Sequence, residues 1–239
     1  MKPVLFVRAD PSETFGVAPS AVASAGASVS IWDAISSEPA PDLAEHSGVV
    51  VFGSTYNVEH ADEQPFIKEV GALTGEAVGG KLPVLGSCFG AQILAWSLGA
   101  RVQKSDVREV GFEPIRPLAP AASDVLTSHL SDGDPEFQWH MDTFELPEGA
   151  VLLVRGDAVE NQAFRFGDRA WGIQFHFEID SAEIELWLDE YAREGDLLAE
   201  WGKTTDQVRD ERDRYIAGHE RRGTQIFRRF VEVCQEAEA

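Results

Sequence analysis

The 239-residue chain lacks any run of 18 or more apolar residues, so a membrane-spanning helix is not expected. Positive charge is scarce. Only 5 of the 20 basic residues are Lys, against 41 acidic residues, and the formal charge is −21. Such a surface repels phosphate backbones, which disfavours nucleic acid as a partner. A solvated acidic face explains the excess better than an acidic docking surface, because net charge governs solubility before partnership. Cysteine is rarer still. Cys88 and Cys234 lie far apart and no CxxC pair occurs, which argues against a structural zinc or iron–sulfur site. The first residues, "MKPVLFVRAD", hold one Lys and four apolar residues before Arg8. That is too little for a secretory leader, so the expectation is a first β-strand in a cytoplasmic protein without a disulfide.

What is present is a rhythm. "PVLFVR" (3–8), "ASVSIW" (27–32), "GVVVFG" (48–53) and "LPVLGS" (82–87) read as strands, with helices expected near 62–78 and 89–98. The third and fourth strands are almost continuously apolar, as parallel strands covered on both faces are. Alternating β and α units imply a parallel sheet with right-handed crossovers, an α/β fold. From about Gly111 the rhythm changes to "VGFEPIRPL", "EFQWH", "VLLVRG", "NQAFRFG" and "AWGIQFHFE", which makes the sheet mixed. A helix should follow, with Asp180 as N-cap and Glu183 completing a capping box. Ile184, Trp187, Leu188 and Tyr191 would share one face of it. A last helix is expected over about 205–235, burying Ile226, Phe227, Phe230, Val231 and Cys234. No repeat or linker stands out. The expectation is one domain over 1–239, with a core to about 190 and a helical extension over about 191–239.

The chemistry concentrates at "LPVLGSCFGAQ" (82–92). Gly86 and Gly90 flank Cys88 at −2 and +2, the spacing of a nucleophile elbow, where a strand turns sharply into a helix. A thiol there sits at the carboxyl edge of the sheet, where open α/β folds bind ligands. The helix start favours the thiolate, and the amide of Phe89 can donate to an oxyanion. Taken alone, G-x-C-x-G also describes a buried structural cysteine. A base is available in "WGIQFHFE". If the strand continues, His176 and Glu178 share a face opposite Trp171, Ile173 and Phe175. A carboxylate two residues from an imidazole can hold its tautomer and stabilise its charge, so Cys88, His176 and Glu178 are candidates for a triad. A rival reading takes His140-x-Asp142 and His176-x-Glu178 as metal ligands. Such spacing is common by chance, and no metal or other cofactor is expected.

"GSCFGAQ" followed 88 residues after the Cys by "GIQFHFE" resembles the class I (triad) glutamine amidotransferase family. The resemblance covers about 1–190, and its nearest type is a stand-alone glutaminase like that of GMP synthase. It implies a flavodoxin-like mixed sheet flanked by helices, here with extra C-terminal helices. It also implies Cys88 as nucleophile, His176 as general base and Glu178 as its orienting acid. Gly53 or Ser54, with Phe89, would supply the oxyanion hole. Gln92 and the backbone from Trp139 through His140 to Met141 would hold the substrate. The chain departs from the family pattern at Ser87, Ala91, Ser54, Thr55 and Phe177, the last of these replacing a Pro, but no triad side chain is missing.

The implied reaction is hydrolysis of a glutamine side-chain amide through a Cys88 thioester, releasing glutamate and ammonia. No Gly-rich phosphate loop follows residue 190, so an ammonia acceptor would be a separate synthetase subunit. Two other readings use the same residues. One is a γ-glutamyl peptide or γ-glutamyl amine hydrolase. The other is a non-catalytic binding or regulatory module.

Overall fold

Successive residues of β1 (Val4–Arg8) enter opposite cores. Val4 and Phe6 face one, and Leu5 and Val7 the other. The same alternation runs through β3 (Gly48–Val51) and β4 (Val84–Ser87), whose residues are all buried. Burial on both faces is why these strands read as continuous apolar runs. The computed structural model describes residues 1–36 and 38–239, the side chain of Glu194 excepted.

The remaining strands are β2 (Val29–Asp33), β5 (Val102–Pro117), β6 (Pro135–Phe144), β7 (Val151–Gly156), β8 (Asn161–Phe166) and β9 (Ala170–Ile173). They make a nine-stranded sheet in the order β2-β1-β3-β4-β9-β8-β7-β5-β6. The pairs from β2 to β9 are parallel, and those from β9 to β6 are antiparallel. This is the mixed α/β sheet expected from the sequence. One core packs α1 (Ala18–Ser24) and the end of α6 (Thr205–Glu238) on one face. The other packs α2 (Pro65–Gly79) and α3 (Phe89–Ser97) on the opposite face. A third cluster joins β5 and β6 to α4 (Ser181–Glu194), α5 (Leu197–Trp201) and Val208 of α6.

Four details differ from the sequence reading. First, β5 begins nine residues before Gly111, as a strand whose first half is largely exposed and polar. Second, α2 starts at Pro65 rather than 62, because proline suits the first helical turn, where no amide donor is needed. Third, β9 ends at Ile173, so His176 does not lie on the strand. Beyond it the backbone bonds elsewhere: Gln174 N donates to Gln162 O at 2.8 Å and His176 N to Phe137 O at 2.9 Å. Fourth, Asp180 caps α4 by accepting from Glu183 N at 2.9 Å, but the Glu183 carboxylate does not close the box. It accepts instead from Thr14 N, 2.8 Å away across the molecule. The reciprocal capping box occurs at α6, between Thr204 and Gln207.

The stripe expected on the last helix is buried. Ile226, Phe227, Phe230, Val231 and Cys234 all have no exposed surface, and burial pushes the Cys234 thiol up to about 12. Among the described residues no helix is long and apolar enough to cross a membrane.

Candidate functional site

Cys88 stands between β4 and α3 with φ 48° and ψ −105°, one of three non-glycine residues with positive φ among those described. An L-residue in that region is strained, and strain of this kind gathers at functional sites. The two flanking glycines make the turn possible. A β-carbon on Gly86 would overlap the backbone of Gly90, and one on Gly90 would overlap the carbonyl of Val51 in β3. The elbow is therefore pressed against its own helix and against the neighbouring strand. Its sharpness presents the sulfur above the carboxyl ends of the parallel strands.

His176 reaches this edge from the turn after β9. Its Nδ1 is 2.8 Å from Glu178 Oε1, and both side chains are almost wholly buried. The other carboxylate oxygen of Glu178 accepts from Ser87 Oγ at 2.6 Å. Although the strand ends early, Trp171, Ile173, Phe175 and Phe177 still fall into the core. His176 and Glu178 fall on the opposite side. Burial opposes charge on His176, yet Cys88 and Glu178 outweigh it and hold its pKa well above the ordinary imidazole value.

Cys88, 6% exposed, and His176 line one cavity of about 610 Å³. Gly53, Ser54, Gln92, Trp139, His140 and Met141 line it too. Phe89 lies beside it as the first residue of α3. An amide at that position has no carbonyl within the helix to bond. Gly53 is close against the imidazole, since a β-carbon there would lie 2.8 Å from His176 Cε1. Ser54 does not disturb this loop. Its hydroxyl donates to Ala9 O at 2.7 Å and accepts from Tyr56 N at 3.1 Å, while Asp10 holds Thr55 through both backbone and hydroxyl. Gln92 Nε2 donates to the carbonyl of Asp142 at 3.4 Å and to Gln174 Oε1 at 3.3 Å.

The His140 ring is tied into a buried network. Nδ1 lies 3.1 Å from Asp142 O, and Nε2 lies 3.0 Å from Glu109 and 3.1 Å from Gln138 Oε1. With its nitrogens so engaged, His140 fixes the end of β6. Among the described residues no group of three or more His, Cys, Asp or Glu side chains is arranged to hold a metal ion.

The settings of several residues around the site escaped the sequence reading. Asp142 is buried in the cavity wall. Its Oδ2 accepts from Asn57 Nδ2 at 2.6 Å, and its Oδ1 has no hydrogen-bond partner. Glu13, which lines the cavity, and Glu183 lie close to His176 and Glu178. Burial raises the Glu13 pKa well above the carboxylate range, helped by Glu183 and Glu178. Burial likewise raises Glu183 to about 7, with Glu178 adding to it and the Thr14 N–H opposing. Trp187 and Tyr191 pack against the cluster that holds Ile184 and Leu188, but they are only half-buried and line the cavity together with Trp201.

The sharp turn at Cys88 sits on a mixed α/β sheet with the His176–Glu178 pair at the same cavity, and the chain is similar to glutamine amidotransferases in both sequence and structure. The family model for "Glutamine amidotransferase class-I" matches residues 19–186, and the chain belongs to that family. A GMP synthase (glutamine-hydrolysing) of Porphyromonas gingivalis is 38% identical over 144 residues, 59% of this chain and 27% of the relative. The chain thus spans about a quarter of the length of the GMP synthases it matches. A glutamine amidotransferase of Thermotoga maritima superposes with TM-score 0.82 at 26% identity, covering 100% of this chain and 99% of its own. One of Methylobacillus flagellatus superposes with TM-score 0.87 at 27% identity, covering 97% and 95%.

Proposed function

We propose that this chain hydrolyses the side-chain amide of glutamine, or of another γ-glutamyl compound, through a thioester on Cys88. The observation that carries the reading is the shared cavity in which Cys88 faces an imidazole held by Glu178 and raised in pKa by both neighbours. The Cys88 thiolate adds to the amide carbon. The Phe89 amide and the Gly53–Ser54 loop receive the oxyanion. His176 gives its proton to the departing nitrogen, then takes one from the water that cleaves the thioester. Glu178 orients the ring and balances its charge, and Ser87 holds Glu178. The unpartnered Oδ1 of Asp142 suits the substrate's α-ammonium group. Gln92 and the backbone from Trp139 to Met141 border the same space.

The matched Porphyromonas gingivalis relative is a glutamine-hydrolysing GMP synthase, which favours a synthetase as the acceptor of ammonia released here. The test is release of glutamate from glutamine, combined with mass spectrometry of Cys88 for a γ-glutamyl adduct. Cys88→Ala is expected to abolish turnover with the fold intact. Full activity in that variant would overturn the mechanism. A Cys88 that resists a glutamine-like diazo-ketone would indicate a binding module instead.

A further inference from the structure

The side of the cavity that receives the departing nitrogen is walled by aromatic rings. His176 is the group that protonates that nitrogen, so any substituent on it lies on the imidazole's side of the scissile bond. There the Trp187 ring meets His176 edge-on, with centroids 4.9 Å apart and planes at 80°. Trp139 continues the wall 6.0 Å from Trp187, and Trp201 stands 6.1 Å beyond Trp139. Tyr191 packs 5.7 Å from Trp139 and fixes Trp201 by accepting from its Nε1 at 2.9 Å. All four rings are half-buried and border the cavity.

Ammonia has no surface for such a wall to cover. The cavity, about 610 Å³, is within the range that encloses drug-sized ligands. Trp187, Tyr191 and Trp201 all lie beyond residue 186, where the match to the family model ends. Three of the four rings are therefore supplied by the segment that follows the matched region, and Trp139 by the matched region itself. At the wall the charges are balanced: Glu190 and Arg193 at the rim are of opposite sign, and the Arg108 guanidinium over the Trp201 ring, at 5.4 Å, is paired with Glu200 at 3.5 Å. Asp10, Glu13 and Asp142 also line the cavity.

We propose that the preferred substrate is a γ-glutamyl amide whose leaving amine carries a flat apolar substituent, seated against Trp187, Trp139 and Trp201. This rests on the hydrolytic reading above and decides between an ammonia-releasing and an amine-releasing enzyme. The step balances without a further reactant. The Cys88 sulfur bonds to the carbonyl carbon of the γ-amide, and the C–N bond at that carbon breaks. The amine leaves with the proton from His176, and water then replaces sulfur to give glutamate and restore the thiol–imidazole pair.

The experiment compares kcat/KM for L-γ-glutamylanilide, L-γ-glutamylputrescine and L-glutamine on the full chain, with Cys88 labelling by the diazo-ketone measured alongside. The anilide is expected to exceed glutamine by about tenfold or more, since an aromatic pair contributes roughly that factor beyond simple burial. Trp201→Ala should lower the anilide-to-glutamine ratio about tenfold, and Trp201→Phe should restore most of it. A ratio at or below one, or a ratio unmoved by Trp201→Ala, overturns this specificity while leaving the hydrolytic reading intact. Preference for the putrescine derivative overturns the choice of an apolar amine. Failure of all three substrates together with an unlabelled Cys88 overturns the hydrolytic reading and this inference with it.

Discussion

Ser87 donates a hydrogen bond of 2.6 Å to Glu178, from the residue just before the candidate nucleophile to the acid that orients its candidate base. Two chain segments 91 residues apart are joined in this way beneath the cavity. Ser87→Ala would leave one buried carboxylate oxygen without its donor, at a cost of about 1–3 kcal/mol. We expect kcat to fall about tenfold with little change in KM. An unchanged kcat would assign the bond to stability alone.

Glu178→Gln is expected to slow turnover less than His176→Ala, because the carboxylate orients and balances charge while the imidazole transfers the proton. Steady-state kcat for the two variants gives the ranking directly, and the reverse order would exchange their roles.

Glu183 supplies a pH dependence of stability. Its folded pKa of about 7 exceeds the ordinary carboxylate value, so the folded state holds the proton more tightly than the unfolded one. Its contribution is fully present below about pH 4.5 and is lost as pH rises through about 7. Glu183→Gln should therefore raise Tm at pH 8, where the parent carries a buried charge, and the gain should shrink towards pH 5. Each kcal/mol corresponds to about 2–4 °C for a chain of this size. A gain that grows on acidification would reverse the assignment.

Gly90→Ala places a β-carbon against the Val51 carbonyl, a backbone atom of a fully buried strand that cannot swing aside. We expect a loss of at least about 3 kcal/mol and of Cys88 labelling together. Retention of parental Tm would mean that the elbow can relax without harm.

The legible parts of this protein were those written in local sequence. Val49–Val51 and Val84–Leu85 announce two-sided burial by being apolar throughout. Gly86, Cys88 and Gly90 announce the elbow by spacing, and His176 and Glu178 are two residues apart. Other features depend on distant partners. The α1 helix is seven residues of Ala, Ser, Val and Pro, with no periodic stripe to mark it. The first half of β5 is exposed and polar, and only its pairing with β6 makes it a strand. Glu183 matches a capping-box signature, yet Thr14 takes its carboxylate. The buried setting of Glu13 and Asp142, and the turning of Trp187 and Trp201 towards the cavity, arise from tertiary packing that no short motif encodes.

Phe177 stands between His176 and Glu178, and it has no exposed surface. Its ring packs 5.1 Å from Phe227 of α6, while its carbonyl abuts Gly223 so closely that no β-carbon would fit there. The turn that carries the imidazole is thus seated on a helix made more than a hundred residues after the thiol. During synthesis, Cys88 emerges long before the support for its partner exists. A ribosome-stalled chain ending before Thr205 should then carry a thiol that reacts with general alkylating reagents yet turns over no amide, and the polypeptide would be born inert and become competent only as its last helix docks.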